Sequence, residues 1–110
     1  MVEVVIRKDG SDRLSSFFAS GHAGWADGGS DVVCAAVSTL LQAAWLGLSE
    51  VAQVAIEATR EAGCLSLAWP AEDRGNEALR AIVGTAALSV ERIAMQYPQN
   101  VRVIYERVDG

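Results

Sequence analysis

A chain of 110 residues, 51% of them apolar, is expected to form one domain (residues 1–110) around a single hydrophobic core. Its net charge of −5, with acids and bases interspersed along the chain, disfavours a phosphate-tracking surface, so direct nucleic-acid binding is not expected. No run approaches the ~20 uninterrupted apolar residues of a membrane span, and the N-terminus lacks a basic-then-apolar leader, so no membrane association and a soluble, cytoplasmic protein are expected.

Val2 to Lys8 alternates, with Val2, Val4 and Ile6 on one face and Glu3, Val5 and Arg7 on the other, ahead of the turn signal Asp9-Gly10-Ser11. This predicts a first strand and a hairpin turn. The run Leu14-Ser15-Ser16-Phe17-Phe18-Ala19, within Arg13 to Ser20, predicts a second strand that ends at Gly21 and leaves His22 at a strand terminus. Ser30 or Asp31 can cap the helix that follows, because a short side-chain oxygen satisfies the orphan N–H groups of a first turn. That helix is expected to reach about Ser49.

Val51 to Thr59 and Cys64 to Trp69 flank Glu61-Ala62-Gly63 and read as a second hairpin, although Val51 to Ile56 equally suits a continuing helix. Cys64, among Leu65, Leu67 and Trp69, is expected in the core. Asn76 is expected to cap a second helix ending near Gln96, with the stripe Leu79, Ile82, Val83, Ala86, Val90, Ile93 and Ala94 lying on a sheet. Tyr97-Pro98-Gln99-Asn100 ends it, and Val101 to Val108 alternates as a closing strand. The order strand, strand, helix, strand, strand, helix, strand predicts an α/β (α+β type) fold, with two helices packed on a largely antiparallel mixed sheet of about five strands.

In the first helix, Asp31, Cys34, Ser38, Gln42, Trp45 and Ser49 fall within one narrow stripe, and Val33, Ala36, Val37, Leu40, Ala44 and Leu48 occupy the rest. Cys34 therefore sits on the polar stripe of an otherwise apolar helix. A thiolate is the reactive form of cysteine, and the first turn of a helix stabilises it through unpaired N–H groups and the positive end of the helix dipole. The chain's only histidine, His22, lies twelve positions before Cys34, across a segment whose three glycines can present N–H groups to an oxyanion. Folded back within reach, His22 can take the thiol proton and return one to a leaving amine, which makes a Cys–His dyad for acyl transfer. Trp25 offers an apolar face to a substrate side chain.

Each residue also has a structural reading at this point. Cys34 can be a small buried hydrophobe, and His22 a surface or packing residue. Asp31 either orients His22 or only caps the helix, and Ser38 either bonds within the site or back to its own helix. Two cysteines and one histidine are too few for a closed zinc site, so no metal and no cofactor are expected.

The string Gly21-His22-Ala23-Gly24-Trp25-Ala26, with Gly29-Ser30-Asp31-Val32-Val33-Cys34-Ala35-Ala36-Val37-Ser38, resembles the signature of the ribosomal-processing cysteine protease family. The likeness extends over essentially the whole chain, including the end of the second helix from Glu91 to Tyr97-Pro98. It implies a small homodimeric α/β endopeptidase that removes a short N-terminal extension from the precursor of a ribosomal large-subunit protein. It places the nucleophile on Cys34 and the general base on His22, and puts Gly21, Asp31 and Ser38 around the site. Trp25 stands where the family more often has tyrosine, and Ser30 where lysine is common. Two other functions fit the same residues: a non-catalytic ribosome-assembly or peptide-binding factor with Cys34 inert, and a cysteine hydrolase with a non-ribosomal substrate.

Overall fold

The computed structural model describes residues 1–21 and 32–108. In chain order the elements are β1 (Val2–Lys8), β2 (Leu14–Ser20), α1 (Val32–Leu46) running into a π-helical turn (Gly47–Val51), β3 (Glu57–Glu61), β4 (Cys64–Ala68), a 3-10 turn (Ala71–Asp73), α2 (Glu77–Gln96) and β5 (Val101–Arg107). The predicted order of strands and helices is therefore the observed one. The strands form a single sheet in the order β3-β4-β2-β1-β5, antiparallel throughout except for the parallel pair β1–β5.

Two crossovers explain why both helices cover one face. The β2–α1–β3 connection and the β4–α2–β5 connection each join parallel strands, but they travel in opposite directions across the sheet and start on antiparallel neighbours. A right-handed crossover in both cases puts α1 and α2 on the same side. The buried residues agree, because Val4 and Ile6 of β1, Phe17 and Ala19 of β2, and Leu65 and Leu67 of β4 share one core with Val37 and Leu41 of α1 and Leu79, Val83 and Val90 of α2. Register lines these strand residues up in rows such as Ile6–Phe17–Leu67. Each large side chain so buried contributes about 1.5–3 kcal/mol relative to exposure.

Trp69 is 2% exposed, and its indole N–H donates to the Leu14 carbonyl at 2.7 Å. Its ring meets Phe17 edge-on at 5.2 Å between centroids. Beside it, Asp9 joins the β1–β2 turn to the segment before α2. Its carboxylate accepts from the Ser11 and Arg13 N–H groups at 2.8 and 3.2 Å and pairs with Arg74 at 3.1 Å. Arg74 in turn donates to the Trp69 carbonyl. The Arg13 N–H, opposed in part by burial and helped by the Ser11 N–H and Arg74, lowers the Asp9 pKa from 3.8.

Asn76 caps α2 as expected, its side-chain oxygen accepting from the Leu79 N–H at 3.0 Å. At the other end of the fold's helical layer, Tyr105 of β5 donates to Glu91 of α2 at 2.6 Å, and burial together with that carboxylate pushes its hydroxyl up to about 12.

Two expectations are corrected. Val51 to Ile56 is not a strand: the first helix runs on through the π-helical turn to Val51, Gln53 takes a left-handed backbone (φ +55°), and β3 starts only at Glu57. The Val54 N–H donates to the Leu48 carbonyl and so closes the helix end. Cys64 is half-buried rather than in the core, since Leu65 and Leu67 face the helices and alternation turns Cys64 to the opposite sheet face, in register with Ser20 and Glu61. Apart from these corrections, Val32–Val51, although interrupted by Ser38, Thr39 and Gln42, has a mean hydropathy of 1.7 and passes a length-and-composition test for a membrane span that the core helix of a soluble protein also passes. Here Cys34, Val37, Leu41, Ala44 and Leu48 of that stretch pack into the protein's own core.

Candidate active site

Gly21 ends β2 with φ +89°, a backbone conformation in which residues with a Cβ are strained. A Cβ added there would also overlap the Met1 carbonyl oxygen. The strand end beside β1 thus needs glycine on two independent grounds, and the next residue in the chain is His22. His22, Trp25 and Asp31 lie outside the described residues.

Cys34 occupies the first turn of α1 and is 1% exposed. In general, the first turn of a helix favours negative charge through its N–H groups and the positive end of the helix dipole. One turn further, Ser38 is 4% exposed, so the polar stripe of α1 faces inward at this end. Burying a hydroxyl is tolerable only with a partner, and Gln42 supplies it: the Gln42 amide donates to Ser38 Oγ at 2.8 Å. Arg60 Nη1 of β3 then donates to Gln42 Oε1 at 3.4 Å. Cys34, Ser38 and Gln42 follow one another at four-residue spacing, which puts them on one helix face.

Arg60 is the member of this group that sequence reasoning did not single out. The signal was present in the parity of β3, where Ala58 and Arg60 pair with Leu67 and Leu65 and so share the core-facing row. Only the pairing register reveals that this row ends above α1's polar stripe.

The outward side of α1 is apolar and open. Val32 is 73% and Leu46 63% exposed. A depression of about 590 Å³ lies along Gln42, Trp45, Leu46 and Glu50. A second, of about 400 Å³, follows the seam between Leu40 and Gly47 of the first helix and Ile82 and Thr85 of α2. Among the described residues, no group of three or more His, Cys, Asp or Glu side chains is placed to hold a metal ion.

The family model for cysteine protease Prp matches residues 1–102. The chain belongs to this family. It is therefore a cysteine protease, and the Prp fold is seen again in solved structures. SMU.848 from Streptococcus mutans superposes with a TM-score of 0.88 at 22% identity, over 98% of this chain and 96% of that one. The S. aureus ribosomal processing protease Prp, solved with a covalently linked product peptide, gives 0.80 at 22% identity, over 96% and 99%. The same S. aureus enzyme with a substrate peptide gives 0.80 at 21% identity, over 96% and 99%. At these identities the likeness establishes the fold. No curated protein sequence matches the chain.

Proposed function

We propose that this chain is the cytoplasmic endopeptidase that removes a short N-terminal extension from the precursor of a ribosomal large-subunit protein. The observation that carries the reading is Cys34, held in the first turn of α1 with a hydrogen-bonded Ser38 one turn below it, in a chain of the Prp family. The S. aureus relative, described as a ribosomal processing protease, supports the substrate class.

In this mechanism the Cys34 thiolate attacks a peptide carbonyl carbon, and backbone N–H groups hold the resulting oxyanion. The C–N bond then breaks, the amine leaving with a proton from His22, and water activated by His22 hydrolyses the thioester. Asp31 orients His22 or caps α1, Gly21 sets the backbone before His22, and Trp25 contacts the apolar residues of the extension. No cofactor enters any step. The apolar outward side of α1, with Val32 and Leu46 exposed, is the surface on which a second copy would pack in a homodimer.

The decisive experiment incubates the full-length precursor protein with the wild type, Cys34→Ala and His22→Ala, and reads the new N-terminus by mass spectrometry. The wild type is expected to release one N-terminal fragment and both variants none. An uncut precursor would sink the processing function. Tight binding of that precursor without cleavage would favour an assembly factor instead.

A further inference from the structure

The chain holds nine lysine and arginine side chains against 14 acids, so carboxylates are in surplus. Arg7, Lys8, Arg74, Arg102 and Arg107 pair with Glu106, Asp12, Asp9, Glu3 and again Asp12, and Arg60 donates to Gln42. Among the described residues, the cations left with neither an ion pair nor a side-chain hydrogen bond are Arg13, Arg80 and Arg92. Two of these three, Arg13 from the β1–β2 turn and Arg80 from the start of α2, line the same recess of about 200 Å³. It lies beside Leu14, the first residue of β2, whose other end leads to His22, so it is about 20 Å along the strand from the candidate active site.

The other charges facing the recess are already compensated. Arg74 is held by the Asp9 carboxylate and the Trp69 carbonyl, and Asp12 is paired with both Lys8 and Arg107. Glu77, three residues before Arg80 on α2, lies outside the lining. Two glycines shape the space. A Cβ on Gly75 would come within 3.0 Å of Arg13 Nη1, so the bare backbone ahead of α2 is what lets that guanidinium lie down at the rim. Gly84 lines the recess from within α2, where glycine is a poor helix former, and a Cβ there would meet nothing within 4 Å. No packing neighbour requires glycine at that position, and its missing side chain leaves the recess open above the apolar floor of Leu79 and Val83.

We propose that this recess is a second binding site, taking a small phosphate monoester whose phosphate is held between Arg13 and Arg80 and whose apolar body rests on Leu14, Leu79 and Val83. A phosphate monoester carries about −1.5 to −2 charge at pH 7 and three acceptor oxygens, which matches two uncompensated guanidiniums, each a planar fork of donors. A carboxylate supplies half that charge. The volume is below the roughly 300–1,000 Å³ of pockets for drug-sized ligands, so the occupant is one phosphate on a compact body. The site is independent of Cys34 and of the proteolytic reading.

The test is titration of the whole chain with phenyl phosphate, followed by backbone amide NMR shifts. Saturable shifts are expected at Arg13, Leu14 and residues 79–84. Benzoate, the same ring with a single negative charge, is expected to bind at least about 10-fold more weakly, and inorganic phosphate, which lacks the apolar body, about 3- to 10-fold more weakly. Arg13→Gln and Arg80→Gln should each weaken phenyl phosphate about 10-fold, the size of one charge-assisted hydrogen bond. Arg92→Gln removes the same charge from the exposed far part of α2 and is expected to change nothing. Gly84→Leu keeps every charge but fills the recess, and is expected to abolish binding without lowering the unfolding midpoint, since leucine is the better helix former.

Absence of saturable shifts at these residues would overturn the proposal, as would equal weakening by Arg92→Gln and Arg80→Gln, which is the mark of diffuse charge attraction. Undiminished binding by Gly84→Leu would place the ligand elsewhere and overturn it too. Benzoate binding as tightly as phenyl phosphate would overturn the assignment to phosphate. Because the readout is binding and not peptide cleavage, none of these results bears on the precursor-processing function.

Discussion

Replacing Gly21 with alanine separates two physical reasons for one glycine. A residue with a Cβ at φ +89° gives up about 1–2 kcal/mol of conformational energy. The added methyl would also overlap the Met1 carbonyl oxygen. Met1 itself is 65% exposed and free to swing, but its neighbour is not: Val2 is 2% exposed and its N–H donates to Asn100 at 2.8 Å. Shifting the Met1 carbonyl therefore strains the start of β1, a further cost of about 1–3 kcal/mol typical of overpacking. Together these give a loss of about 2–5 kcal/mol, a large share of the 5–15 kcal/mol that a domain commonly has.

Urea unfolding followed by circular dichroism measures it directly, with the same substitution repeated in a chain that starts at Val2. There the overlap is gone, and only the conformational part, about 1–2 kcal/mol, is expected to remain. A Gly21→Ala protein within about 0.5 kcal/mol of the parent would refute the reasoning outright, since that is the range of an unremarkable surface change. An identical cost with and without Met1 would refute the steric half alone.

Trp69→Phe keeps the packing against Phe17 but removes the indole donor from the Leu14 carbonyl, and is expected to lower stability by about 2–4 kcal/mol in urea unfolding. A loss below about 1 kcal/mol would mean that this carbonyl finds another partner. Asp9 gives a pH signature whose sign follows from its lowered pKa. The stability it contributes is complete above 3.8 and is lost as pH falls through the lowered value. Unfolding midpoints measured from roughly pH 5 to pH 2 should therefore fall more steeply in the wild type than in Asp9→Asn. Parallel curves would show that the carboxylate is not selectively stabilised in the folded protein.

Much of this architecture is legible locally. Alternation in residues 2–8 and 101–107, the Asn76 cap and the 3.6-residue stripe of α2 depend on neighbours within one or two turns, so the element order follows from them. The Gly-His segment and the Cys34–Ser38 spacing are likewise one-dimensional patterns, and they carried the family likeness. The misjudged boundary after α1 has a local cause of another kind. Val51 to Ile56 is apolar except for Gln53, so it shows no period that separates strand from helix, and the chain there is set by the π-helical turn and the left-handed Gln53.

The sequence by itself determined the element order, the glycine that follows β2 and the likeness to the family, because periodicity and residue chemistry act over short stretches of chain. Tertiary structure decided what those stretches meet. Pairing β5 with β1, turning Cys64 away from the helices, joining Asp9 to Arg74 across 65 residues and setting Arg60 against Gln42 all depend on sheet order and register. Those are fixed by burying the two helices and the sheet face together, an energy that no single segment contains.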